Sequence, residues 1–354
     1  MKTTPRVLLA ILAVTAGAVL GGATPGMAAG KPEAADSLYV GDAADNTVKR
    51  FDAQIGQVLG TFITVGLDGP RGIVHRQQTF RVANQNVDQP FAGEIDQYSA
   101  SGAPLVPLVP HQDPNAPFAP RGIIVGPDQR TLYVADMGPD CPPTGPCAVH
   151  GAVKGYDLTR GVFLGNLDFT SFIKGNEEFR PRGLVFDSDQ RLYLSLFEEN
   201  DLTVGLVLRF DLQNGRVMVV ADNRTATEGC GQHLHRPEGL VIGPDERLYV
   251  TSFRANAGDI DRILTFDKET GTCLDEIRLD QVGQPRAFAQ ALLFGPGGSL
   301  YVPISGNGPD TGAVRRYDVK TQTFTNFVAP GGPLGSGWYL TFGKTNPSTL
   351  AYPS

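Results

Sequence analysis

The sequence predicts an all-β protein, a six-bladed β-propeller built from four-stranded antiparallel blades. One motif recurs along the chain: Pro-x-Gly, a short apolar strand, a Gly/Asp turn, and a second strand that reads Leu-Tyr-Val. A third strand in most copies ends in an aromatic residue followed by Asp, as in Phe210-Asp211. No part of the chain beyond its N-terminal segment shows sustained helical periodicity, so strands and turns account for the regular structure.

The glycine of the Pro-x-Gly motif aligns the copies, including two degenerate ones. The aligned positions are Gly72, Gly122, Gly183, Gly239, Ala291 and Tyr339. Successive positions are roughly 50 to 60 residues apart, which is about the length of one four-stranded blade.

The two ends of the repeat region predict how the ring closes. The first copy begins at its second strand, Ser37–Val40, and lacks a first strand of its own. The last copy contains only the strand that begins a blade, Tyr339–Phe342, and no full blade follows it. We therefore expect the C-terminal strand to complete the N-terminal blade, because this leaves no open sheet edge. Thr349–Tyr352 resembles a further second strand and has no place in this scheme.

The N-terminal segment is typical of a cleaved signal peptide. Lys2 and Arg6 precede an apolar run over residues 7–20, and small residues follow up to Ala29. The run is short for a membrane span, so we expect a signal peptide at 1–29, a propeller domain at 30–354 and an exported protein without a membrane span. An uncleaved anchor is the alternative. The formal charge of -7 argues against a nucleic-acid partner.

Four cysteines are present, and an even number in an exported chain favours disulfides. Cys141 and Cys147 enclose a short Pro-rich loop, so we predict that they pair. Cys230 and Cys273 then form the second bridge. A thiolate metal site is the alternative, although no Cys-x-x-Cys spacing occurs.

The Pro-x-Gly, Leu-Tyr-Val and aromatic-Asp signatures resemble NHL-type repeats. Over residues 37–352 the chain resembles the six-bladed propellers that include the senescence-marker/gluconolactonase and strictosidine-synthase-like groups. This resemblance implies the fold. Because one fold hosts many functions, activity has to be argued from a site.

Two columns of residues in the repeat define the candidate site. In such a propeller the first strand is innermost, so the x of Pro-x-Gly lies at the mouth of the central channel. That column contains Trp338, Arg71, Arg121, Arg182, Glu238 and Gln290. The end of the second strand returns to the same face, and the polar members of its column in the first three blades are Asp42, Asn84 and Asp136. We predict a ligand-binding site formed by these nine residues.

The three arginines permit two interpretations. Guanidinium groups bind carboxylate, sulfate or phosphate in a bidentate manner, which predicts an anion site. Alternatively Asp42, Asp136 and Glu238 neutralise the arginines, and the ring is a set of ion pairs that joins the blades.

Metal-dependent chemistry needs different residues. The resemblance to gluconolactonase-like propellers implies acidic or amide metal ligands at several Pro-x-Gly positions, where only Glu238 fits and arginines occupy others. Calcium could bind among Asp42, Asn84 and Asp136, since hard cations prefer clustered oxygens. Similarity to amidating-lyase-like propellers implies zinc, for which the available histidines are His111, His150 and His233. His233 or His235 beside Glu238 is the candidate acid/base group.

Three functions follow from these features. The first is an exported, monomeric propeller that binds a small anionic molecule, glycan or peptide at the channel mouth. The second is a metal-dependent hydrolase, lactonase or lyase that uses calcium or zinc. The third is a protein–protein interaction scaffold that uses the loop-rich face.

Overall fold

The computed structural model describes residues 36–86, 93–139, 150–173, 178–198, 201–226 and 228–353. The predicted signal peptide and the predicted Cys141–Cys147 bridge lie outside these residues. No helix in the described ranges is both long enough and apolar enough to cross a membrane.

The described residues form 23 strands and two short 3₁₀ turns. The first twelve strands are β1 (Ser37–Asp42), β2 (Thr47–Asp52), β3 (Val58–Ile63), β4 (Pro70–Arg76), β5 (Thr79–Asn84), β6 (Glu94–Ser99), β7 (Pro120–Val125), β8 (Thr131–Asp136), β9 (Ala152–Asp157), β10 (Phe163–Asn166), β11 (Pro181–Phe186) and β12 (Arg191–Phe197). The others are β13 (Gly205–Asp211), β14 (Val217–Asp222), β15 (Pro237–Ile242), β16 (Arg247–Ser252), β17 (Arg262–Asp267), β18 (Cys273–Arg278), β19 (Leu293–Phe294), β20 (Leu300–Pro303), β21 (Val314–Asp318), β22 (Thr323–Val328) and β23 (Gly337–Phe342). The 3₁₀ turns are Cys230–His233 and Pro296–Gly298.

These strands form six small antiparallel sheets, and the prediction of a six-bladed β-propeller is confirmed. Five sheets have four strands in the described residues. The second blade has three, β4, β5 and β6, and isolated bridges at Pro104 and Val109 occupy the position of its outer strand.

The ring closes as the two chain ends predict. β23 pairs antiparallel with β1, so the first blade has the order β23-β1-β2-β3. The last strand of the chain is thus the innermost strand of the first blade. Because of this pairing, every blade has its innermost strand. Backbone hydrogen bonds between strands far apart in the sequence close the ring.

The repeated glycine has a packing reason. A Cβ on Gly72 would lie 2.7 Å from the carbonyl oxygen of Arg121, and one on Gly122 would lie 2.6 Å from that of Arg182. A Cβ on Gly183 would lie similarly close to the carbonyl oxygen of Glu238. Because neighbouring inner strands come this close, a Cβ at any of these three positions would clash with backbone atoms.

Burial decreases from the axis outward. All six residues of β1 and all six of β11 are buried, whereas the first four residues of β3 and of β22 are exposed. The strands near the axis are therefore enclosed, whereas the first residues of these two outermost strands face solvent.

The C-terminal tail after β23 does not form another strand. The amide of Val125, at the end of β7, donates to the carbonyl of Pro347 at 2.8 Å, and that of Phe186, at the end of β11, donates to Ser348 at 3.2 Å. Leu350 lines a cavity of about 50 Å³ inside the channel, together with the inner-strand glycines. The tail thus crosses the end of the channel that lies opposite the Pro-x-Gly positions, which gives Thr349–Tyr352 the place that the repeat pattern did not.

Cys230 and Cys273 form a disulfide, as predicted. The bridge joins the 3₁₀ turn before β15 to the first residue of β18, the outer strand of the same blade. It therefore ties the entry of the fifth blade to its edge.

Candidate functional site

The six side chains of the Pro-x-Gly column gather at one end of the channel. We call Trp338, Arg71, Arg121, Arg182, Glu238 and Gln290 the channel ring. The Arg71 guanidinium lies 3.6 Å from the centre of the Trp338 ring, a cation–π contact. Arg182 Nη1 lies 3.3 Å from Glu238 Oε1 and forms the ion pair of the ring. Each of these two contacts joins neighbouring positions of the column that the sequence predicted.

Most of the channel ring is withdrawn from solvent. Arg71, Arg182, Glu238 and Gln290 are each no more than 3% exposed. Arg121 and Trp338 are only half-buried, so solvent reaches the ring on their side. These two side chains therefore form the exposed part of the ring.

Tyr339 completes the site, and the sequence reasoning missed it. It occupies the position of the repeated glycine in the sixth copy, so its side chain enters the channel where the other blades have no side chain. Burial, followed by the Glu238 carboxylate, raises the pKa of the Tyr339 hydroxyl, which therefore remains a neutral donor. The sequence did contain a signal for this residue: Tyr339 is a single large residue in an aligned column of glycine and alanine.

Several polar atoms of this site have no partner. Among the described residues, no hydrogen bond reaches Arg71 Nε, Glu238 Oε2, Gln290 Nε2 or the Tyr339 hydroxyl, and all four atoms are buried. Buried polar groups are almost always hydrogen-bonded, and a group that lacks a partner costs about 1–3 kcal/mol. Four such atoms among neighbouring residues leave this site with unsatisfied hydrogen-bonding capacity.

The charges of the site are also uncompensated. Within the described part of the chain, neither Arg71 nor Arg121 has a carboxylate within salt-bridge distance, whereas Arg182 pairs with Glu238. Burial, followed by the charge of Arg121, lowers the pKa of Arg71 well below its usual value. An anion placed beside both guanidinium groups would relieve this cost.

The second column of predicted site residues serves a different purpose. The strand register places each of these residues opposite the entry to an inner strand, as in the pair Pro120 and Asp136. Asp136 accepts hydrogen bonds from the amides of Phe118 and Ala119 at 2.9 and 2.8 Å. Asp42 accepts equivalent hydrogen bonds from the amides of Gly335 and Ser336. Asn84 accepts one from the amide of Asp68, and Ser252 accepts one from the amide of His235.

These bonds decide between the two interpretations of the ring. The lysines nearest the two aspartates are Lys49, 4.0 Å from Asp42, and Lys154, 3.5 Å from Asp136. The aspartates therefore satisfy backbone amides and lysines, and of the three acids proposed to neutralise the arginines only Glu238 pairs with one. The ring is not a closed set of ion pairs between blades in the described residues.

The histidines have partners of their own. His111 Nδ1 lies 3.4 Å from Glu94, His233 Nδ1 lies 2.8 Å from Glu276 and His235 Nδ1 lies 3.2 Å from Asp259. His150 forms an isolated bridge with Phe179.

The hydrogen bonds and ion pairs of the described residues join neither His233 nor His235 to Glu238, so the acid/base pair remains a prediction. Burial lowers the pKa of His235, so the neutral ring is favoured.

The structure does not assemble the predicted metal ligands. Among the residues that it describes, no group of three or more His, Cys, Asp or Glu side chains is arranged to hold a metal ion. Asp42, Asn84 and Asp136 each hold the entry to a different blade. The calcium and zinc sites thus remain predictions without a supporting arrangement of ligands.

A larger cleft lies elsewhere, between the fifth and sixth blades. Its volume is about 810 Å³, and it is lined by arginines and aspartates. These charges pair with each other or with a buried neighbour: Arg262 with Asp259 at 2.7 Å, Arg286 with Asp261 at 2.8 Å, and Arg315 with Asp310 at 2.6 Å. Because its arginines are already neutralised, the cleft is less suited to an anion than the channel ring despite its size.

Comparison with known proteins supports the fold and extends no further. No protein-family model matches the chain, and no curated protein matches it. Solved structures do match. A protein of unknown function from Bacteroides caccae has a TM-score of 0.58 at 10% identity, with 87% of this chain and 98% of that chain covered.

Two further structures match at a similar level. TolB from Acinetobacter baumannii has a TM-score of 0.56 at 11% identity, covering 87% of this chain and 66% of that one. Hydrazine synthase from Kuenenia stuttgartiensis has a TM-score of 0.52 at 18% identity, covering 79% and 72%. Structures named for gluconolactonase and 6-phosphogluconolactonase also match, with TM-scores of 0.46 and 0.49. At these identities the likeness concerns the propeller fold alone.

Proposed function

We propose that this chain binds a small anionic molecule at the channel ring. The observation that carries the proposal is the pair Arg71 and Arg121, two guanidinium groups that lack a carboxylate partner among the described residues, one of them buried. An unpaired charge in a buried place is costly, and a bound anion would offset that cost with charge-assisted hydrogen bonds.

The shape of the site limits the ligand. The ring is recessed, and only Arg121 and Trp338 retain solvent exposure. A whole glycan or peptide does not fit beside the four buried members of the ring. A free small anion, or the anionic end of a larger glycan or peptide, is the form that the arginines would accept.

Export is part of the same proposal. We propose that residues 1–29 are a signal peptide that is removed when the protein leaves the cytoplasm. The Cys230–Cys273 disulfide supports this, since such bridges persist in oxidising compartments. The enzyme and scaffold hypotheses gain no specific support from the described residues, so no second function is proposed.

The test is calorimetric titration of the purified protein with phosphate, sulfate and small carboxylates at constant ionic strength. We expect one of these anions to bind at a single site. The variant with both Arg71→Gln and Arg121→Gln should bind that anion at least about tenfold more weakly, since each charged hydrogen bond contributes about 1.5–3 kcal/mol.

Arg247→Gln is the matched control, because Arg247 is an exposed arginine on β16. It should leave the affinity unchanged. Equal binding by the double variant and by the control would overturn the proposal, as would the absence of binding by every anion tested. Circular dichroism of each variant verifies that the propeller is folded.

A further inference from the structure

Glu238 places an acceptor that cannot donate beside the guanidinium groups of the site. Its Oε1 atom pairs with Arg182, and its Oε2 atom is buried without a partner in the described residues. An ionised carboxylate can only accept hydrogen bonds. A fully deprotonated anion beside Oε2 would meet a like charge and would be repelled at a desolvated contact.

The other unpartnered atoms of the site are donors. Arg71 Nε, Gln290 Nε2 and the Tyr339 hydroxyl are buried without an acceptor in the described part of the chain. Arg121 adds a guanidinium that has no carboxylate partner there. The site therefore presents several groups that can donate, two positive charges without a carboxylate partner in the described residues, and one carboxylate oxygen that can only accept.

From this set, and on the premise of the proposed anion site, we infer that the ligand is a protonated oxyanion, with inorganic hydrogen phosphate as its simplest form. Hydrogen phosphate carries two negative charges, three oxygens that accept and one O–H that donates. Its O–H would donate to Glu238 Oε2, and its oxygens would accept from Arg71, Arg121, Gln290 and Tyr339. Sulfate has the same shape and charge but carries no proton at neutral pH, so it leaves Oε2 facing an oxygen of like charge.

The same reasoning explains why one ring position differs from three others. Arg71, Arg121 and Arg182 occupy the middle of Pro-x-Gly in three blades, and Glu238 occupies it in the next. An arginine there would make an unselective anion site. The glutamate neutralises Arg182 and supplies the acceptor by which the site distinguishes a protonated anion from a deprotonated one.

The experiment compares inorganic phosphate with sulfate by calorimetry on the full folded protein. The unmodified protein should prefer phosphate by on the order of tenfold or more, because sulfate leaves a buried acceptor unpaired. Glu238→Gln removes the like charge and offers an amide donor, so its affinity for sulfate should rise and the preference should fall to about onefold.

Glu246→Gln, at an exposed glutamate between β15 and β16, is the control and should retain the preference. Sulfate binding as strong as phosphate binding in the unmodified protein would overturn the inference, as would an unchanged preference in Glu238→Gln. Binding of a carboxylate but of neither oxyanion would also overturn it while leaving the proposed anion site intact. Binding of no anion at all would instead refute the proposed function. A thermal unfolding curve for each variant verifies the native fold.

Discussion

At the scale of single residues, one dipeptide in each blade carries both the fold and the site. The glycine of Pro-x-Gly lets neighbouring inner strands approach closely, and the residue before it decides what the channel displays. Gly183 and Arg182 show the two roles side by side: the glycine lies against the carbonyl of Glu238, and the arginine pairs with the carboxylate of the same residue. A copied repeat can therefore keep its fold while its channel chemistry changes.

Replacing one of these glycines should destabilise the ring. A Cβ on Gly122 would lie 2.6 Å from the Arg182 carbonyl oxygen and 3.2 Å from the Cα of Gly183. Both atoms belong to the backbone and cannot rotate away, so we expect Gly122→Ala to lower the free energy of unfolding by about 1–3 kcal/mol. Urea denaturation followed by fluorescence measures this change.

Gly332→Ala is the control for that measurement, because a Cβ there would lie 3.5 Å from the Ala329 carbonyl oxygen, an ordinary van der Waals distance. It should change the stability little. An equal loss in the two variants would show that the close approach between inner strands is not responsible.

At the scale of elements, a polar residue at the end of the second strand organises the entry to an inner strand in four of the six blades. Hydrogen bonds from backbone amides are accepted in this way by Asp42, Asn84, Asp136 and Ser252. The second blade extends the arrangement outward to its third strand, because Asn84 Nδ2 also donates to Asp96 Oδ2 at 2.9 Å. Asp96 is buried on β6, two residues after Glu94.

This arrangement predicts a pH-dependent stability. Burial, followed by the charge of Glu94, raises the pKa of Asp96 to about 7. In the unfolded chain the pKa of an aspartate is about 3.9, so between these values the folded protein holds a proton that the unfolded chain has lost. The contribution of Asp96 is therefore most favourable below about pH 4 and declines as the pH rises to about 7.

Asp96→Asn removes this dependence and keeps an oxygen that can accept from Asn84. At pH 8 we expect the variant to be more stable than the unmodified protein by about 2–4 kcal/mol, since one pKa unit corresponds to about 1.4 kcal/mol. At pH 4 the difference should be small. Urea unfolding at the two pH values measures it, and an identical difference at both would show that Asp96 does not titrate in this range.

At the scale of the whole molecule, two long-range connections hold the ring. β23 closes the first blade, and the tail that follows crosses the far end of the channel. Gln129 Nε2 donates to Ser348 Oγ at 2.9 Å, and Tyr352 donates to Asp36 at 2.9 Å. The tail thereby links the first, third and fourth blades, and the channel ring remains the open end.

A chain that ends at Thr345 should form the propeller with reduced stability. It keeps β23 but loses the tail's hydrogen bonds to Val125 and Phe186 and the burial of Leu350. We expect the free energy of unfolding to fall by about 2–4 kcal/mol, as hydrogen bonds and apolar area are lost together. Denaturant unfolding and far-ultraviolet circular dichroism measure stability and β content. A chain that ends at Tyr352 is the control, and equal stability of the two would show that the tail contributes nothing.

By itself the sequence determined the number of blades, the closure by β23 and the composition of the channel ring. A repeat is a local pattern: the spacing of Pro-x-Gly, the turn and the apolar strands is readable along the chain because each blade uses the same backbone. The column of arginines with Glu238 among them follows from that alignment without knowledge of any contact.

Only the tertiary structure decided what each charge of the site does. It pairs Arg182 with Glu238, stacks Arg71 on Trp338, assigns Asp42 and Asp136 to backbone amides and brings the Tyr339 hydroxyl into the channel. The physical reason is that neutralisation depends on distances of 3 to 4 Å between residues in different blades. Such distances follow from the packing of the blades against one another, and the sequence of a single repeat does not predict them.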